Sequence, residues 1–198
     1  RIFLVGHSWG SGLGYILAVR HPAYYWAFAG LGQMSKDTEG LAYAATLEAA
    51  RRAGNAAAIH ELEALGTPPY TKISTAKGAL HKADPGNVAM AGMLVRFKWS
   101  EALGGDSKYI KIARLIVKEL LLSTEYTLTD AFGWLKNKGR SINLMYAEGN
   151  RDIDLYQEGT VFEIPIFFLL GKWDLLTVSS GAVALMEDIN APRKEIFW

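Results

Sequence analysis

Two kinds of hydrophobic pattern take turns along this chain. Short apolar runs stand at Ile2–Val5, Tyr25–Leu31 and Ile164–Leu170, and one more strand is expected over Lys194–Trp198, where Ile196, Phe197 and Trp198 are apolar. Such runs, closed by glycine or turn residues, read as strands buried on both faces. Pro165 sits near the start of its run, where a strand tolerates a missing N–H. Between the runs the apolar positions recur at helical spacing. Leu13, Ile16 and Leu17 lead to a stop at His21-Pro22. Thr38–Ala53 follows a cap at Asp37 or Thr38 and ends at Gly54. Asn55–Leu65 keeps Ile59, Leu62 and Leu65 on one face and ends at Gly66, before Pro68-Pro69-Tyr70. Asn87–Leu103 is apolar and aromatic. Ser107–Leu122 is the cleanest amphipath, with Tyr109, Ile112, Ala113, Ile116, Val117 and Leu120 in register. Shorter helices are expected over Leu128–Lys138 and Ile142–Gly149, and one more over Thr177–Asn190.

The order is strand, helix, strand, a long helical stretch, strand, helix, strand. Helix-linked strands of this kind build a parallel sheet, so the expected class is α/β with about four parallel strands. The stretch between the second and third strands is too long and too periodic for a loop. It is expected to be an inserted all-helical cap over the strand ends. The expected division is a first core part over residues 1–34, a cap over 35–159 and a second core part over 160–198.

The chemistry gathers at the first strand's end. Gly6-His7-Ser8-Trp9-Gly10 joins a buried-type strand to a helix, the setting of a G-x-S-x-G nucleophile elbow. A turn this sharp crowds the backbone, so Gly6 and Gly10 suit the positions flanking its apex. The apex, Ser8, stands over the N-terminus of the next helix, where free N–H groups and the dipole favour developing negative charge. His7 adjoins Ser8, but its side chain is expected to point away. His21 suits the end of a helix. Asp174 lies just past the Ile164–Leu170 run, on the sheet edge where ligands bind in parallel α/β folds. It reads either as an acid that orients a histidine or as a loop or capping aspartate.

Composition narrows the function classes. Half of the 198 residues are hydrophobic, enough for a substantial core, and the net charge is +1 with both signs interspersed. Neither a nucleic-acid footprint nor a polybasic membrane patch is present. There is no cysteine, which removes disulfides and thiolate metal sites. No apolar run nears the roughly 18 residues of a membrane span. The chain starts at Arg1 and stops at Trp198, both within strand-like stretches, so it is expected to be an internal piece of a longer protein. That leaves the compartment open, with the cytoplasm as default, and the oligomeric state undetermined.

Three stretches resemble the α/β-hydrolases, nearest to capped serine hydrolases of the proline iminopeptidase type. "LVGHSWGSGLGYILAVRHPAYYWAFAGLGQ" resembles the elbow, its helix and the next strand. "EIPIFFLLGKWDLLT" resembles the strand that delivers the acid, and "NAPRKEIFW" the approach to the final strand. The cap from Gly32 through "EALGTPPY" is similar to hydrolases of the same group. The resemblance implies the C-terminal part of an α/β-hydrolase sheet. It implies Ser8 as nucleophile, the Trp9 backbone N–H as an oxyanion donor and Asp174 as triad acid, in the chain order Ser, Asp, His. The histidine of that order follows the last strand, and none of the four here (His7, His21, His60, His81) lies after Asp174. The catalytic histidine is therefore expected outside this chain, as is the second oxyanion donor. No cofactor or metal is implied. The partner is a small-molecule or short-peptide substrate.

Within that class, peptidase and carboxylesterase both stand. An aminopeptidase needs carboxylates for the substrate's amino group, and Glu39, Glu101, Glu125 and Glu148 are cap residues that read more simply as surface charges. A serine at the apex argues against dehalogenase or epoxide hydrolase chemistry, which uses an aspartate there. A non-catalytic protein that binds a small ligand in a hydrolase fold is the competing class.

Overall fold

The computed structural model describes residues 1–70, 74–75, 78–79, 85–104, 122–127, 129–130, 132–133 and 153–198. The helices expected over 107–122, 128–138 and 142–149 fall wholly or mostly outside these, as do His81 and Glu148. Four strands form one parallel sheet in the order β1-β2-β5-β6: β1 (Ile2–His7), β2 (Tyr25–Leu31), β5 (Ile166–Leu169) and β6 (Lys194–Phe197). Register runs straight across the C-terminal ends, His7 to Leu31, Leu31 to Leu169 and Leu169 to Phe197. Every loop that leaves a strand's C-terminus therefore starts from the same edge. The α/β class with four parallel strands is thus the architecture of the chain.

Chain contacts divide it into two units, one of Arg1–Ala45 with Asp152–Trp198 and one of Thr46–Arg151. In the first, α1 (Trp9–Arg20) and α5 (Ser179–Asp188) contribute to one apolar core. Tyr15, Phe28, Ile166, Phe168 and Leu185 are fully buried there. Each such side chain contributes roughly 1.5–3 kcal/mol by leaving water. The Tyr15 ring meets Phe162 edge-on at 4.9 Å, and its hydroxyl donates to the Gly159 carbonyl at 2.8 Å. Lys194 Nζ closes the C-terminus of α5 by donating to the carbonyls of Met186, Glu187 and Ile189. An ammonium there satisfies carbonyls that the helix cannot.

The strands are not buried on both faces as their composition implies. Ile164, Ile166, Phe168 and Leu170 turn into the core, while Leu169 is exposed. β1 departs furthest: Ile2, Phe3 and Val5 are 63%, 73% and 64% exposed. It is an edge strand, paired only with β2 among the described residues.

The second unit starts within α2 (Thr38–Arg52), at Thr46, and goes on through α3 (Ala56–Leu65), β3 (Ser74–Thr75), β4 (Gly78–Ala79) and α4 (Pro85–Leu103). Asp37 takes the cap role expected before α2, accepting the Gly40 N–H at 3.2 Å. Asn55 caps α3 through Ala58 N–H at 3.0 Å. The expectation of an all-helical insertion needs correcting, because β3 and β4 pair antiparallel as a small hairpin. Ser74–Ala79 carries no helical apolar stripe, and Gly78 disfavours a helix. Arg96 is buried in α4, donating to Ser100 Oγ at 3.3 Å while Ser100 and Thr46 hydroxyls share a 2.8 Å bond. Glu61 accepts from Lys98 Nζ and Trp99 Nε1, both at 2.6 Å. The Lys98 bond, with Trp99 behind it, holds the Glu61 carboxyl below its ordinary range. Among the described residues no helix is long and apolar enough to cross a membrane.

Candidate active site

β1 ends one residue before Ser8 and α1 begins one residue after it. Turning the chain that fast puts Ser8 at φ 53°, ψ −122°, a region L-residues rarely occupy. Such a residue costs on the order of 1–3 kcal/mol and persists only when its surroundings hold it. They do so here. The Ser8 N–H donates to the Leu31 carbonyl at 2.9 Å, tying the turn to β2. The Ser8 carbonyl accepts the Ser11 N–H at 2.8 Å and the Ser11 hydroxyl at 2.5 Å. Serine is a favoured helix cap, yet the Ser8 side chain makes no capping bond. The strained residue thus keeps its hydroxyl clear of the backbone.

Gly6 is required by contact. A Cβ there would overlap the Gly10 carbonyl oxygen and lie 2.7 Å from its carbon and 2.8 Å from Ser11 Cα. The expected symmetry of the two glycines does not hold, since a Cβ on Gly10 would meet nothing within 4 Å. The elbow closes by bringing the Gly10 carbonyl onto the Gly6 backbone, so the crowding falls on one side only. Trp9 is the first residue of α1, and its N–H has no carbonyl within the helix to reach.

Asp174 follows β5 through a turn in which its N–H donates to the Gly171 carbonyl at 3.4 Å. Its Oδ1 accepts the N–H groups of Leu176 and Thr177 at 2.7 and 2.9 Å, and Oδ2 accepts the Thr177 hydroxyl at 2.8 Å. Two carboxylate oxygens offer about four acceptor sites, so Oδ2 keeps capacity for one more donor. This arrangement serves a turn before α5 and equally holds an acid in a fixed pose. The carboxylate lies over Gly32: a Cβ on that residue would sit 3.7 Å from Oδ2 and 2.8 Å from Thr177 Oγ1. Gly32 has φ +51°, and its N–H donates to the Leu169 carbonyl at 3.0 Å. It directly follows Leu31, whose carbonyl holds Ser8. Ser8 and Asp174 therefore share one sheet edge, with the β2 exit between them.

No histidine completes the pair among the described residues. His7 is exposed on β1, His21 is exposed beyond α1 with its ring 6.2 Å from that of Tyr24, and His60 is exposed on α3. The carboxylates considered for an amino group are dispersed in kind. Glu39 and Glu101 are half-buried and already partnered, and Glu125 is exposed.

Three residues that the sequence reading passed over shape this edge: Ser11, Gly32 and Thr177. Two of them had a legible signal. Ser11 stands three places after Ser8, and Thr177 three after Asp174, the spacing at which a hydroxyl meets a turn. Gly32 was legible only as the end of a strand.

The site and fold together define an α/β protein with a strained serine and a fixed aspartate on one sheet edge. No family model matches the chain. It is 21% identical over 204 residues to the probable aminopeptidase YbaC of Bacillus subtilis (strain 168), a match covering 100% of this chain and 57% of that protein. Among solved structures, a monoacylglycerol lipase from Paleococcus ferrophilus aligns with TM-score 0.41 and 14% identity, over 98% of this chain and 56% of that one. The chain thus spans a little over half the length of both of these proteins.

Proposed function

We propose that this chain carries the nucleophile and the acid of an α/β-fold serine hydrolase that cleaves an amide or ester through an acyl-enzyme. Ser8 attacks the carbonyl and the Trp9 N–H receives the developing oxyanion. Asp174 orients the histidine that takes the Ser8 proton and returns it to the leaving group. Among the described residues His7, His21 and His60 are all exposed and none bonds Ser8, so the base in this reading is a histidine other than these three. The observation that carries the reading is Ser8 itself: a non-glycine residue at φ 53° whose hydroxyl is spared from capping. Backbone strain concentrates where function needs it. The likeness to a probable aminopeptidase favours a peptide with a free amino terminus, and the resemblance of the sequence to proline iminopeptidases narrows the proposal to substrates of that kind. A carboxylesterase is the second reading, because Glu39 and Glu101, weighed as holders of an amino group, already have partners and Glu125 is exposed.

The test is made on the full-length protein with p-nitrophenyl butyrate, an amino-acid p-nitroanilide and a fluorophosphonate. Ser8→Ala is expected to lower turnover by about 10⁶ and abolish labelling while the fold is kept. Asp174→Asn is expected to lower kcat by about 10⁴, since the imidazole loses its orienting charge. Labelling that survives Ser8→Ala removes the assignment. A wild-type protein that binds these probes but turns none over turns the reading into ligand binding without catalysis.

A further inference from the structure

The Ser8 carbonyl and the Trp9 N–H belong to one peptide unit. That unit is planar and trans, so the two groups point in opposite directions along a single rigid plate. Whatever holds the carbonyl also aims the N–H. The holder here is Ser11. Its side chain is fully buried on the first turn of α1, and its hydroxyl donates to the Ser8 carbonyl at 2.5 Å. A hydroxyl has one proton, and the competing Gly32 carbonyl is farther, at 3.4 Å. The same oxygen accepts the Met34 N–H at 3.0 Å. Ser11 therefore links the plate to the segment leaving β2. The Ser11 carbonyl receives a second tie from that segment, the Gln33 Nε2 donor at 3.4 Å.

Resting on the reading of Ser8 as nucleophile and Trp9 as oxyanion donor, we infer that Ser11 is a positioning residue for the oxyanion N–H. Its hydroxyl fixes the Ser8–Trp9 peptide so that the Trp9 N–H already faces the place where negative charge develops. A buried serine chosen for packing alone needs no donor to this carbonyl, because the Ser11 backbone N–H already bonds it at 2.8 Å. The extra bond stiffens the plate against tilting. Preorganised donors contribute in the transition state and little to the ground state.

The experiment compares wild type with Ser11→Ala and Ser11→Thr in the full-length protein, using p-nitrophenyl butyrate as substrate and a trifluoromethyl ketone as transition-state mimic. Removing an oxyanion donor outright costs about 10²–10³ in kcat. Loosening one is expected to cost roughly tenfold, with KM unchanged and affinity for the ketone falling in parallel with kcat. Ser11→Thr, which keeps the hydroxyl, is expected to restore most of both. Should Ser11→Ala not fold, Ser11→Cys gives the same reading with a weaker donor, and the kcat loss is expected without a KM change. Unaltered kcat, or a fall that Thr does not rescue, overturns the inference. Fluorophosphonate labelling of wild type at Ser8 keeps the two questions apart: without it, the nucleophile assignment fails, whatever Ser11 does.

Discussion

At the scale of single residues, the elbow makes a prediction that separates its two glycines. Both belong to the same G-x-S-x-G pattern, and sequence logic treats them alike. The structure does not, because only Gly6 has backbone where a Cβ would go. The obstructing atoms belong to the backbone of Gly10 and Ser11, so no side-chain rotation relieves them. Gly6→Ala is expected to destabilise the protein by about 3 kcal/mol, the upper end of ordinary overpacking, and to displace Ser8. Gly10→Ala has open space and a helical setting, where alanine outperforms glycine by about 0.5–1 kcal/mol. Urea unfolding of the two variants checks this, and equal losses at both positions overturn it. The place of Ser8 and Asp174 just past strand ends was legible because apolar runs announce those junctions. Their partners Ser11 and Thr177 were less so, since the bonds that matter depend on where a turn places a hydroxyl.

At the scale of elements, the apolar runs located all four strands of the sheet, and β2 matches its expected span of Tyr25–Leu31. Helix α2 begins at Thr38 as expected and α3 ends at Leu65, because caps and glycines mark both. Boundaries slipped where no such residue stands. The helix expected from Thr177 starts at Ser179, since Asp174 draws the Thr177 backbone into its own turn. Burial on both faces was not legible, because it depends on what covers a strand rather than on the strand. The attachment of α1 gives a pH prediction. Tyr15 is fully buried on that helix and donates to Gly159, and burial, with Tyr156 adding to it, raises its phenol above the ordinary 10.0. A raised folded pKa means that the unfolded chain loses its proton first. The stabilisation is thus complete below about pH 10 and drains away as pH rises beyond it. Tyr15→Phe is expected to cost about 1 kcal/mol at pH 8, for the lost hydrogen bond. Wild type loses about 1.4 kcal/mol of stability per pH unit well above 10 and phenylalanine has no proton to lose, so the deficit is expected to vanish and reverse by about pH 11. Unfolding curves at pH 8 and pH 11 that differ by the same amount for both proteins would contradict this.

At the scale of the whole molecule, the order β1-β2-β5-β6 makes β1 an outer strand, and its composition does not suit that position. Natural edge strands carry charges, prolines or bulges that discourage pairing with other chains. Here Ile2, Phe3 and Val5 are all more than half exposed, and Trp26 beside them is 54% exposed. The nearby charge is Arg1, whose guanidinium lies over the Trp26 ring at 5.1 Å rather than out along the strand. A run of this kind combines unpaired N–H and C=O groups with apolar side chains, the two ingredients of edge-to-edge association. The opposite edge offers its own apolar residues, with Phe197 46% and Trp198 62% exposed on and beyond β6. The 198-residue chain produced by itself is therefore expected to self-associate at roughly micromolar to millimolar concentrations, the range in which exposed strand edges aggregate. Replacing Phe3 and Val5 together by lysine places two charges on one face of β1, since they stand two residues apart. That double variant should return the light-scattering mass toward the monomer's 21.8 kDa while its circular dichroism is unchanged. A wild-type chain that scatters as a monomer across the range, or a lysine pair that leaves the association intact, would show that β1 is not the surface responsible.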